Sequence, residues 1–276
     1  MKNKIFLVTA LSTITSYHVI AQSTTVSAYE ASNPTYVRSY FKTSAESYNY
    51  NETANFYAIQ FGYYYGIGER HLAGISIPFY HNVFNADFAG YENTTGIGDI
   101  RMFYMLNAFN RKVDGPGLKR ISPYVEVSAP TGEYELGRGA GAWLYKPGVI
   151  FSYSPIPEVS FYPEIKYQFS IEDTNSDGGS DGMPDPEDPG KEGQHQNLAI
   201  NFPFVMVLKE WDGWFSLNGQ YAHSFTEEVD FFFIRMDVGK MLGEYTSGAL
   251  NISKFIAGQP RLNLVIQAKF NFYLGR

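Results

Sequence analysis

The chain has 276 residues, with 21 Lys and Arg against 28 Asp and Glu and no cysteine. A net charge of −7 argues against nucleic acid as a partner, and the lack of cysteine excludes a disulfide framework and a lipid-anchored N-terminal Cys. Charged residues make up 18% and aromatics 17%, with 22 Tyr and 22 Phe, so part of the surface is expected to face something other than water.

Lys2 and Lys4 precede an apolar stretch from Ile5 to Leu11 and then Val19-Ile20-Ala21. That order predicts an export signal over 1–21 and a mature domain over 22–276. Beyond it no segment reaches the eighteen or so apolar residues of a membrane helix. The chain alternates instead. Thr35 to Lys42 reads as a first strand, followed by Tyr57 to Tyr65, 71–80, Asp99 to Asn107, 120–130 and 142–153. Residues 159–171 alternate strictly. Val159, Phe161, Pro163, Ile165, Tyr167, Phe169 and Ile171 oppose Ser160, Tyr162, Glu164, Lys166, Gln168 and Ser170. Further strands are expected at Asn197 to Met206, 213–223, Phe232 to Gly239, 248–257 and Leu262 to Leu274. A period of two belongs to strands, and about twelve such segments predict an all-β fold, an antiparallel transmembrane β-barrel.

The connections sort by length. GIGER (66–70), SPIPE (154–158) and KEWDG (209–213) are short and fit periplasmic turns. Segments 81–96, 131–141 and 172–195 are longer and fit extracellular loops; the basic run 110–120 is a longer connection on the inner side. If the apolar faces pointed inward, nothing in the chain would fill so wide a greasy cavity. If they point outward, Asp99, Arg101, Glu126, Lys146, Glu164, Lys166, Arg235, Asp237 and Lys269 line one lumen. Trp143 and Tyr153 share a face ten residues apart, about 33 Å along a strand. A tilt near 40° turns that into about 25 Å of height, the lipid band between aromatic girdles. The apolar face is expected to look out. Pro78, Pro123, Pro147, Pro163 and Pro203 fall inside predicted strands and each lacks a ladder donor, which a soluble two-sheet sandwich would also tolerate at its edges.

TTGIGDIRM (94–102) and APTGEYELGRGAGAWLYKPG (129–148) carry a family resemblance. With Gly96, Gly98 and Asp99, then Pro130, Thr131, Gly132 and the glycine-rich run to Gly148, the chain resembles the outer-membrane transporters named for the MetA pathway of phenol degradation. The resemblance is sharpest over 95–150. It implies a β-barrel acting as a channel for small molecules. By strand direction both motifs lie at the outer rim, where their glycines shape tight turns.

Residues 172–195 hold eight acidic residues against Lys191. Within them Asp173, Asn175, Asp177 and Asp181 have the spacing of a calcium loop without its distal Glu, since the twelfth position is Pro184. Such Pro, Gly and Asp content also fits a solvated loop. No other cofactor is expected. His223-Ser224 is the one adjacent pair suited to a barrel lipid hydrolase, but consecutive strand residues point to opposite faces. The chain is therefore read as no enzyme. It is read as a bacterial outer-membrane channel for small molecules, hydrophobic or aromatic ones included. Its expected partners are lipid and solute. A lipid hydrolase and a structural or adhesive barrel are the alternatives. Five basic against four acidic lining residues predict little selectivity by charge sign. The acidic loop is expected to disfavour anions at the mouth, and Glu164 and Lys166 are candidates for an opposing-charge network within the lumen.

Overall fold

A computed structural model of the protein describes residues 25–50, 54–84, 92–111, 115–172, 196–226, 228–258 and 262–275. The signal expected at 1–21 and the calcium candidates Asp173, Asn175, Asp177 and Asp181 lie outside the described residues. Fifteen strands form one antiparallel sheet: β1 (Tyr40–Tyr50), β2 (Ala54–Ile67), β3 (His71–Phe84), β4 (Thr94–Ile97), β5 (Ile100–Leu106), β6 (Phe109–Asn110), β7 (Gly117–Ala129), β8 (Ala142–Ile156), β9 (Val159–Phe161), β10 (Glu164–Glu172), β11 (Gln196–Leu208), β12 (Gly213–Ser224), β13 (Val229–Gly243), β14 (Thr246–Gly258) and β15 (Leu264–Tyr273). The first strand pairs with the last, from Tyr40 opposite Tyr273 to Asn49 opposite Leu264, so the sheet closes and has no edge. β4 with β5, and β9 with β10, each make one interrupted wall strand, and β6 is a short addition against β7. The wall is a barrel of twelve antiparallel strands.

Sidedness follows from which atoms meet solvent-sized space. On β2, Tyr57, Ile59, Phe61, Tyr65 and Ile67 are exposed, while Ala58, Gln60 and Gly62 between them are buried. On β10, Ile165 and Ile171 are exposed on the outward face and Ser170 is buried inside. Across the barrel the buried set is rich in Ser, Asn and Gln, among them Ser44, Gln60, Ser76, Ser122, Asn218 and Asn251. A water-soluble fold shows the reverse distribution. An apolar belt outside and a polar interior are what a bilayer selects, because lipid replaces water around the wall. Trp143 and Tyr153, ten residues apart on β8, both lie on the outward face.

The short turns at 68–70, 157–158, 209–212 and 244–245 share one end of the barrel, the turn end, together with the residues on either side of 112–114. Segment 130–141 and the connections on either side of 85–91 and 173–195 fall at the opposite loop end. All five prolines inside the predicted strands sit where a flanking ladder is broken. Pro78 pairs with Gln60 on β2, but on its other side lies the break between β4 and β5. Pro147 faces a gap in the β8–β10 ladder, and Pro123 faces the gap between β5 and β6. Pro163 and Pro203 meet at the break between β9 and β10, where the Tyr162 amide donates to the Pro203 carbonyl at 3.0 Å. A closed barrel thus accepts residues without an N–H by interrupting a neighbour.

One expected strand is displaced. Thr35 to Ser39 form no strand; β1 begins at Tyr40 and runs to Tyr50. The outward face of β1 carries Phe41, Thr43, Ala45, Ser47 and Asn49, too polar to show alternation. Pairing with β2 and β15 imposes the strand instead. The preceding residues 25–39 fold inside the barrel. They open with a one-turn helix, α1 (Ala28–Ser32), closed by a reciprocal cap in which the Ser27 hydroxyl accepts from the Glu30 amide and the Glu30 carboxylate accepts from the Ser27 amide.

Candidate functional site: the barrel interior

Residues 25–39 cross the interior at the turn end. The Val26 amide donates to the Glu244 carbonyl in the β13–β14 turn at 2.9 Å. Val26 and Ala28 pack with Ile150, Tyr162, Val205, Trp214, Met241 and Tyr273 from the wall. On the other side Val37 packs with Leu72 and Met105, the latter fully buried. Thr35 is also fully buried: its carbonyl accepts from Asn107 Nδ2 at 3.1 Å, and Asn107 Oδ1 accepts from the Ser122 hydroxyl at 2.6 Å. Arg38 Nε donates to the Leu274 carbonyl at 2.9 Å, and the Leu274 amide donates to the Ser39 carbonyl. The segment is therefore fastened to opposite walls.

Above it the inward faces carry charge. Lys146 donates to Glu126 at 2.8 Å across the β7–β8 pair. Arg235 binds Asp237 through Nε and Nη2 at 3.1 and 3.2 Å; the same carboxylate accepts from Asn251 Nδ2 at 2.6 Å and has Lys269 Nζ at 3.6 Å. Arg101 donates to the Tyr80 hydroxyl at 3.1 Å. Glu164 and Lys166 do not bond to each other. Glu164 accepts from the Tyr124 hydroxyl on β7, two strands away, and from the Asn201 amide on neighbouring β11. Several interior charges escaped the sequence reading, Lys42, Glu46 and Arg38 among them. Lys42 and Glu46 lie inside β1, the strand whose alternation is weak, and Arg38 belongs to the crossing segment. Glu46 accepts from Ser44 at 2.8 Å and also from Tyr48 and Gln267.

Asp99 sits apart from these, at the loop end, and joins the two motifs. Its Oδ1 accepts from the Gly132 amide at 2.9 Å and its Oδ2 from the Ala140 amide at 2.8 Å. The Thr131 hydroxyl donates to the Gly98 carbonyl at 3.1 Å, and the Ile100 amide donates to the Thr131 hydroxyl at 2.9 Å. Segments 96–100 and 130–140 are therefore one clip. A Cβ on Gly139 would lie 2.6 Å from Asp99 Oδ1 and from the Gly132 carbonyl oxygen, so only glycine fits there. Gly96 and Pro130 flank the clip: the Arg138 guanidinium lies over Gly96 and donates to the Thr95 carbonyl at 2.7 Å. The clip turns segment 130–141 back onto the wall, where Asn82 Nδ2, buried on the inward face of β3, donates to the Gly137 carbonyl at 2.9 Å. The spacing of the motifs gave their place at the rim. It did not reveal that one carboxylate holds both, because the partners are backbone amides, which no residue type marks.

A cavity of about 400 Å³ opens between the crossing segment and the wall. Its lining runs from Arg38 and Tyr36 past Tyr162 and Trp214 to Lys42, Lys166 and Asn218. His223 and Ser224 offer no nucleophile–base pair. Ser224 is buried on the inward face of β12, whereas His223 bonds Asp230 at 2.9 Å on the outward face.

The family model described as "Putative MetA-pathway of phenol degradation" matches residues 30–229. The chain belongs to this family. Its fold is that of solved outer-membrane barrels. It resembles an outer-membrane channel of Pseudomonas putida F1 at TM-score 0.66 and 11% identity, with 86% of this chain and 96% of that chain covered. It resembles the NanC porin at TM-score 0.55 and 9% identity, covering 85% and 100%, and the KdgM porin at 0.50 and 5%, covering 84% and 98%. No curated protein matches the chain in sequence. At such low identities these likenesses speak to the fold.

Proposed function

We propose that the protein is a passive channel for small molecules across the bacterial outer membrane, with no enzymatic step. The carrying observation is a closed wall that is apolar outside and polar and charged inside, with open volume among the charges. The names of the three similar barrels, one channel and two porins, support the same reading. The turn end is the periplasmic side and the loop end faces outward, after export by the leader at 1–21. Arg101, Glu126, Lys146, Glu164, Lys166, Arg235, Asp237 and Lys269 line the path, and Asp99 with Gly96, Gly98, Pro130, Thr131 and Gly132 shapes its outer rim. Hydrophobic or aromatic solutes suit the tyrosine-rich lining.

Residues 25–38 narrow the path at the turn end. They precede every paired residue of β1, whose ladders begin at Tyr40, so their deletion leaves the wall complete. Purified full-length and Δ25–38 proteins in liposomes are expected both to admit small neutral solutes, the deletion faster. Folded protein that leaves liposomes impermeable in both forms would overturn the channel reading.

A further inference from the structure

The cavity above the crossing segment has more cations than its carboxylates can neutralise. It is lined by Arg38, Lys42, Lys166, Arg235 and Lys269, against Glu30, Glu164 and Asp237. Those three carboxylates are already engaged. Glu30 closes the cap of α1, Glu164 accepts from Tyr124 and Asn201, and Asp237 holds Arg235 and Asn251 with Lys269 nearby. Lys42 and Lys166 make no hydrogen bond or ion pair among the described residues. Arg38 is only 2% exposed; its guanidinium lies over the Tyr245 ring at 5.9 Å, so it adds positive charge beside the cavity without opening onto it. Lys42 and Lys166 are half-buried, and a half-buried ammonium without a hydrogen-bonding partner favours an anion beside it. The same cavity presents the aromatic side chains Tyr162, Trp214 and Tyr273.

We infer that this cavity is a binding site for a small organic carboxylate bearing a ring. The carboxylate lies between Lys42 and Lys166, and the ring lies against the aromatic side. The volume lies within the range of small-molecule pockets, about 300–1,000 Å³. The inference rests on the channel reading, because it places the solute in the path, and it adds a charge preference that the balance of nine predicted lining residues does not give.

The test uses the mature full-length protein in detergent micelles, with benzoate, its neutral isostere benzyl alcohol, and acetate, followed by calorimetry against empty micelles. Benzoate is expected to saturate a single site, with benzyl alcohol and acetate each at least ten-fold weaker. Lys42→Gln with Lys166→Gln should weaken benzoate at least ten-fold and leave benzyl alcohol unchanged. Lys42→Arg with Lys166→Arg should retain benzoate, which separates lost charge from lost fold. Lys209→Gln, in a turn away from the cavity, should change nothing. Benzoate that fails to saturate, binds no better than benzyl alcohol, or is indifferent to the double Gln variant overturns the site. Liposome permeability to neutral solutes is measured alongside. Permeable liposomes without benzoate binding overturn the site and leave the channel, whereas binding with impermeable liposomes upholds the site and removes the channel.

Discussion

The turn end and the middle of the barrel share one wall but have opposite interiors. At the turn end Met105, Leu72 and Val37 interlock, and Val26 and Ala28 press on Trp214 and Tyr162, so the chain narrows its own lumen with apolar contact. Halfway along, the same strands present Lys42, Lys166, Arg235 and Lys269 around open volume. The first region is built like the core of a soluble protein and its worth is packing. The second gives up packing, and there Lys42 and Lys166 bond to no group among the described residues. Stability and solute handling are thus separated along one axis, a few residues apart on each strand.

That contrast can be broken first at its packed side. Met105→Ala removes a fully buried side chain from the turn-end cluster and is expected to cost about 2–5 kcal/mol. Urea titration of the folded protein in lipid vesicles checks it; a cost under about 1 kcal/mol would mean that the crossing segment packs loosely. Next comes the outward face. Ile165→Arg sets a charge in the lipid belt and is expected to cost about 2–4 kcal/mol near the midplane, in the same titration. Its neighbour Lys166→Gln removes a charge that has no partner and should leave stability unchanged or raise it. Equal costs for the two, or the reverse order, would defeat the sidedness.

The smallest effect lies outside the barrel wall. In the turn-end connections Glu158 accepts from Lys209, and that hydrogen bond holds its carboxyl below the ordinary range. A carboxyl lowered by folding stabilises above its unfolded pKa, and that contribution is lost as pH falls through the folded value. Wild type and Glu158→Gln should therefore differ slightly at about pH 7 and converge at about pH 3. A difference that grows on acidification would reverse the assignment.

The strand pattern was legible because lipid outside and polar groups inside impose a period of two on nearly every strand. Ile165 and Lys166 were placed on their faces by alternation alone. β1 was not, because ladders from β2 and β15 supply what its own residues lack. For the same reason Lys42 and Glu46 were missing from the predicted lining. Arg38 could not be found by periodicity at all, since it sits in a segment ordered by tertiary contacts. The broken ladders beside Pro78, Pro123, Pro147 and Pro203 belong to neighbouring strands, so they were invisible from the proline itself.

The seam between β1 and β15 has a consequence for the order of assembly. Gln267 donates to Glu46 across it, a pairing of residues 221 positions apart, and Arg38 reaches Leu274 over 236 positions. These are among the most distant contacts in the chain, and loop closure makes such contacts late to form. No nascent or truncated chain lacking the last strand can be a closed vessel, since its sheet would keep two raw edges. The residue that follows that strand also tethers the crossing segment through Ser39 and Arg38. Sealing the wall and seating the segment that narrows it are therefore completed by the same stretch of sequence.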